Sequence, residues 1–221
     1  MTRRVAVLRP EPANHVTAAR LAQAGVEAIA LPLFEIAPVA WTPPDPAAHD
    51  GVLLTSANAV RCAGDGLAAL RSLPVFVVGE ATARAARRAG LEVAAIGNEG
   101  AADILRAAGE QGRNRLIHLA GRDRAPHQTG VSTICVVYES REIDRSDADL
   151  APIAGQVAML HSPRAARRFA MLARAIDRST VRLAALSPAI AEAAGKGWAT
   201  IQVAVKREDA ALVALARRLA D

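Results

Sequence analysis

The chain has 221 residues, 52% hydrophobic and 22% charged, with 12 prolines and 15 glycines; that excludes a disordered or collagen-like polypeptide and leaves room for one large domain or two small ones. Lys+Arg number 27 against 22 Asp+Glu, a net charge of +5, and only Lys196 and Lys206 are lysines. The arginines stand singly or in pairs such as Arg87-Arg88 and form no nucleic-acid-type run, while 3% aromatics are too few to stack bases, so the balance suits an anionic small molecule and no nucleic acid.

The apolar run Val5 to Leu8 stops at Arg9-Pro10-Glu11, too short for a signal-peptide core, and no window reaches the roughly 18 apolar residues of a membrane span. A cytoplasmic setting with no membrane partner is expected. Cys62 and Cys135 lie far apart without a CxxC, and His15, His49, His118 and His127 show no ligand spacing, so neither a disulfide framework nor a metal site is expected.

In chain order, apolar runs at Val5 to Leu8, Ala28 to Leu33, Gly51 to Thr55, Val75 to Val78, Glu92 to Ile96, Leu116 to Leu119, Ile134 to Tyr138, Val157 to His161, Arg182 to Leu186 and Thr200 to Val205 read as ten strands. Alanine-rich stretches of helical period separate nearly all of them, as at Thr82 to Ala89 and Ala210 to Leu219, which is the pattern of βαβ units and parallel sheet.

Ten strands exceed one small doubly wound sheet, and the chain repeats itself. Leu54-Thr55-Ser56-Ala57-Asn58-Ala59-Val60-Arg61 aligns with Leu160-His161-Ser162-Pro163-Arg164-Ala165-Ala166-Arg167, an offset of 106 residues. Val78-Gly79-Glu80 aligns with Leu186-Ser187-Pro188, and Leu8-Arg9-Pro10 with Gly121-Arg122-Asp123. The proline-rich Pro38 to Pro46 and the charged Glu139 to Asp149 read as two crossings between domains. The expectation is an α/β chain of two flavodoxin-like parallel-sheet domains joined by a two-stranded linker: a discontinuous first domain, 1–36 plus 140–221, and a second domain, 38–137.

Each repeat carries a strand that ends in a small residue and then starts a helix, at Thr55-Ser56, Gly79 to Thr82, His161-Ser162 and Ser187-Pro188. Such residues cap helices, and capping alone explains any one of them; four together, at the carboxyl ends of parallel strands, make anion-binding rims. Gly64-Asp-Gly66-Leu-Ala-Ala69 fits a G-x-G-x-x-A pattern, but it follows a helix instead of a strand and reads as a loop. His161-Ser162 is no base and nucleophile, since adjacent strand residues point to opposite faces.

Taken in order, Leu8-Arg9-Pro10, Thr55-Ser56-Ala57-Asn58-Ala59-Val60, Val77-Val78-Gly79-Glu80-Ala81-Thr82-Ala83, Leu119-Ala120-Gly121-Arg122, Val137-Tyr138-Glu139 and His161-Ser162-Pro163 resemble the uroporphyrinogen-III synthase family along the whole chain. The resemblance implies hydroxymethylbilane as substrate, cyclised to uroporphyrinogen III with loss of water and inversion of ring D through a spiro intermediate. It implies no metal or organic cofactor. Carried over by motif, Tyr138 assists departure of the hydroxyl, although a tyrosine packing the hinge fits the same position. Arg9, Thr55, Ser56, Gly79, Thr82, Gly121, Arg122, Ser162 and Ser187 bind carboxylates. Ser187-Pro188-Ala189-Ile190 departs from family members that place threonines there. The resemblance also admits a transient contact with the enzyme that makes hydroxymethylbilane. A noncatalytic two-domain binder or sensor of an anionic metabolite stays open as the alternative.

Overall fold

The computed structural model describes residues 2–97, 100–124 and 130–221; His127 lies outside them. The chain begins β1 (Val5–Val7), α1 (Ala13–Gln23), β2 (Ala28–Ala30), β3 (Phe34–Pro38), β4 (Gly51–Leu54), α2 (Ala57–Cys62), β5 (Val75–Val78) and α3 (Glu80–Arg88). It continues through β6 (Val93–Gly97), α4 (Ala101–Glu110), β7 (Leu116–Gly121), β8 (Val131–Glu142), α5 (Asp147–Leu150) and β9 (Val157–Leu160). The last elements are α6 (Pro163–Leu172), β10 (Arg182–Ala185), α7 (Pro188–Ala194), β11 (Thr200–Val203) and α8 (Asp209–Ala220). The chain divides into two compact units, 1–35 plus 141–221 and 36–140.

The architecture is the expected mixed α/β one. The first unit holds a sheet ordered β11-β10-β9-β1-β2, parallel throughout. Counted along the unit's own chain this is the flavodoxin-like order 2-1-3-4-5. The second sheet is ordered β3-β8-β7-β4-β5-β6, and its strands from β8 to β6 are parallel. Laid on the first, β6 matches β11, β5 matches β10, β4 matches β9, β7 matches β1 and β8 matches β2. The two units therefore share one spatial layout that the chain enters at different strands. This is why the repeat pairs Arg9 with Arg122 although one precedes and the other follows its aligned partners.

Alternation along the strands decides which helix covers which face. Val5, Val7, Val157 and Met159 meet Leu21 of α1 and Leu212, Leu215, Ala216 and Leu219 of α8. Ala6, Leu8, Ala158 and Leu160 point the other way, onto Ala166 and Phe169 of α6 and Ile190 of α7. Phe169 stacks on Trp198 with centroids 5.3 Å apart. In the second unit Val52, Leu54, Val75 and Val77 face α2 and α3, while Leu53 and Phe76 face Ile104 and Ala108 of α4. Strands covered on both sides need no polar face, which is why the interior runs read as continuously apolar.

Two elements differ from the sequence reading. β3 is an additional strand at the edge of the second sheet. Val39 N–H donates to Val137 O and Ile143 N–H to Leu33 O, both at 3.0 Å, so this pairing climbs one strand as it descends the other and is antiparallel. Its sequence, Phe34-Glu-Ile-Ala-Pro38, carries a charge and ends in a proline, both of which an edge strand accepts. β8 also runs on to Glu142, through the start of the charged segment read as a crossing. The G-x-G-x-x-A segment is a 3-10 helix, Gly64–Leu70. A Cβ on Gly66 would lie 2.9 Å from the Trp41 ring, so packing against tryptophan accounts for that glycine and a phosphate does not.

Candidate functional site

The residues singled out in the sequence gather at the carboxyl ends of the strands, in two groups, one on each unit. In open α/β sheets ligands bind there, where the strand order reverses. The reversal falls between β1 and β9 in the first sheet and between β4 and β7 in the second.

In the second unit Ser56 is the N-cap of α2, its Oγ accepting from Asn58 N–H at 3.2 Å. That bond uses a lone pair and leaves the hydroxyl proton for a ligand. Gly79 is the N-cap of α3 with φ 78° and ψ 149°, a conformation essentially confined to glycine. Thr82 sits in the first turn of α3 but is only 5% exposed, so it offers a ligand little surface. Thr55 Oγ1 lies 3.2 Å from His118 Nε2 on the neighbouring β7, bridging the strands at the reversal. Burial, aided by the Arg124 charge, pushes the His118 pKa down to about 4, so the imidazole is neutral near pH 7.

Next to them, Gly121 pairs with Tyr138 across β7 and β8, and the tyrosine ring lies over the glycine. A Cβ built on Gly121 would come within 2.7 Å of Tyr138 Cζ and 2.9 Å of its Oη. Gly121 is thus buried beneath the ring, and the adjacent Arg122 N–H donates to Tyr138 O at 2.9 Å. Arg122 Nε donates to Glu139 Oε2 at 2.7 Å, which ties that guanidinium to the same pair of strands.

In the first unit Ser162 is the N-cap of α6, accepting from Ala165 N–H at 3.1 Å, with Pro163 opening the helix. Ser187 holds the same place on α7 without a side-chain capping bond and is 5% exposed. His161 points away from Ser162 and into a cluster that the sequence did not announce. Asp209, the first residue of α8, accepts from Arg9 Nη1 at 3.0 Å and Thr17 Oγ1 at 2.9 Å, pairs with Arg20, and shares a hydrogen bond with His161 Nε2 at 2.9 Å. Burial lowers the His161 pKa against the opposing pull of Asp209. The Asp209 carboxyl falls well below the usual range: burial pushes upward, and the hydrogen bonds from His161, Arg20 and Thr17 overcome it.

The arrangement presents hydroxyl protons, helix-start N–H groups and arginines at two strand-end rims, the equipment for binding carboxylates. Among the described residues no group of three or more His, Cys, Asp or Glu is placed to hold a metal ion, and no helix is long and apolar enough to cross a membrane.

Among solved structures, the chain is similar to uroporphyrinogen-III synthetase from Helicobacter pylori, at 16% identity and TM-score 0.70, covering 98% of this chain and 99% of that one. It is also similar to a mutant uroporphyrinogen III synthase from the extremely thermophilic bacterium Thermus thermophilus, at 15% identity and TM-score 0.51, covering 98% of each chain. At these identities the likeness concerns the fold. A comparison with curated proteins finds no match. The sequence model described as uroporphyrinogen-III synthase HemD matches residues 15–214, and on that span, nearly the whole length, the chain belongs to the uroporphyrinogen-III synthase family.

Proposed function

We propose that the chain closes hydroxymethylbilane to uroporphyrinogen III, and that each strand-end rim, taken by itself, suits carboxylates of the kind that the substrate's acetate and propionate groups carry. The observation that carries this reading is the recurrence of one capped strand-to-helix turn beside the order reversal of both sheets, at Ser56 and at Ser162. The terminal hydroxyl takes up a proton and leaves as water, giving an azafulvene. The substituted carbon of ring D attacks it, forming the spiro intermediate. One carbon–carbon bond of that intermediate then breaks, ring D rejoins turned over, and loss of a proton restores the pyrrole.

The linear substrate also closes unaided, without inversion, so the catalyst's task is to steer. Holding rings A and D in the reactive pose supplies several kcal/mol through orientation, within the roughly 7–11 kcal/mol that ideal positioning can give. Tyr138 is the residue to hydrogen-bond the departing hydroxyl, its ring set by Gly121. Ser56, Gly79 and Ser162 meet carboxylates, with Arg9 and Arg122 adding charge. Thr82 and Ser187, each 5% exposed, Thr55, whose Oγ1 faces His118 Nε2, and Gly121, beneath the Tyr138 ring, shape the rims more than they meet carboxylates. The setting is the cytoplasm.

Calorimetry with uroporphyrinogen III and with its octamethyl ester tests the carboxylate reading. Binding of the free acid and none of the ester is expected; equal binding of both would overturn it. A noncatalytic sensor would also bind the acid, but the family match does not favour it, and turnover separates the two.

A further inference from the structure

Four side chains close on the Asp209 carboxylate. Arg9 comes from the β1–α1 connection, Thr17 and Arg20 from α1, and His161 from the end of β9. With His161 neutral, the two arginines and one carboxylate leave the cluster at a net charge of +1. Arg9 spends only Nη1 on this contact: among the described residues both of its hydrogen bonds, to Asp209 and to Thr17, run through that nitrogen. The Arg9 side chain is 28% exposed, and its Nε and Nη2 make none of these contacts.

We propose that Asp209 is a positioning residue: by gripping Arg9 through Nη1, it fixes the guanidinium so that the Nε–Nη2 edge stands ready as a two-pronged donor for one substrate carboxylate. This rests on the reading that Arg9 binds substrate. An arginine free on its stem loses side-chain freedom when it binds, and one already pinned loses less. Paired N–H groups match the two oxygens of a carboxylate. His161 adds a hydrogen bond to Asp209 Oδ1 without a second charge, and Arg20 holds Oδ2. The Asp209 side chain is itself 15% exposed, enclosed enough for the grip to hold.

Two rival readings make opposite predictions. If Asp209 only ties α1 to α8, its loss lowers stability and leaves KM alone. If its carboxylate instead competes with the substrate for Arg9, its loss exposes a second positive charge and lowers KM. The experiment measures steady-state KM and kcat for hydroxymethylbilane, together with thermal unfolding, in the full chain. The variants are Asp209→Asn, Asp209→Glu, Arg9→Ala and the double variant Arg9→Ala/Asp209→Asn.

Positioning predicts that Asp209→Asn raises KM about tenfold, the size of one charge-assisted contact, with kcat changed less than about threefold and with partial rescue in Asp209→Glu. The double variant should be no worse in KM than Arg9→Ala. An unchanged or lowered KM in Asp209→Asn, or additive effects in the double variant, overturns the proposal. An unchanged KM in Arg9→Ala overturns it through its premise. A wild-type chain that forms no isomer III contradicts the proposed function itself and is seen before any variant is made.

Discussion

The contact between Gly121 and Tyr138 gives the sharpest mutational test of the site. Replacing Gly121 by alanine adds one methyl group, 2.7 Å from Cζ, 2.8 Å from Cε2 and 2.9 Å from Oη of the tyrosine. Carbon atoms rest at about 3.5–4.0 Å, so the ring must retreat by about 1 Å. Overpacking of this kind costs about 1–3 kcal/mol. The backbone at Gly121 is strand and lies outside the left-handed region, so the penalty falls on the ring. A displacement of about 1 Å at a positioned group can lower a rate by about a hundredfold, so Gly121→Ala should harm turnover at least as much as Tyr138→Phe, which removes one hydroxyl and keeps the ring in place. The assay pairs denaturant unfolding with initial rates of isomer III formation, for Gly121→Ala in the wild-type and Tyr138→Ala backgrounds. With the ring gone, the stability cost of the alanine should nearly vanish. An equal cost in both backgrounds would show that the ring is not what the methyl group meets, and an unchanged rate in Gly121→Ala would show that the ring's position is irrelevant to catalysis.

Gly79→Ala should destabilise by about 1–3 kcal/mol through its backbone alone, since a Cβ there meets nothing within 4 Å; a neutral result in denaturant unfolding would contradict the conformational argument. Ser56→Ala and Ser162→Ala each remove a helix cap worth about 0.5–2 kcal/mol and a ligand contact, so turnover should fall roughly tenfold, while the buried Thr82→Ala should cost turnover less; kinetics that reverse this order would place the binding groups elsewhere. His118, held neutral down to a pKa of about 4 against the ordinary 6.5, takes its proton sooner in the unfolded chain. Stability from this residue is therefore full above pH 6.5 and lost as the pH falls toward 4, and His118→Gln should flatten the unfolding midpoint across that window; an unchanged slope would refute it.

What the sequence could reveal follows from how local the physics is. Val75-Phe76-Val77-Val78 and Val157-Ala158-Met159-Leu160 show themselves as strands because both faces are covered and every position is apolar. β3 does not, because an edge strand tolerates Glu35 and Pro38. Ser56 and Ser162 could be picked out because a cap lies beside the helix it serves. Asp209 could not: its partner Arg9 is 200 residues away and His161 is 48 away, and an aspartate in the first turn of a helix ordinarily serves the helix alone. Gly121 and Tyr138 are each visible as motif residues, but their stacking depends on the β7–β8 register, which no local pattern carries.

The most direct measurement is the isomer composition of the uroporphyrinogen formed when the purified, metal-free chain receives hydroxymethylbilane generated in the same reaction, resolved by chromatography against the uncatalysed control. Faster closure with isomer III dominant is expected in the presence of the chain, whereas isomer I forming at the uncatalysed rate would contradict the assignment of the chain as the catalyst of inverting closure.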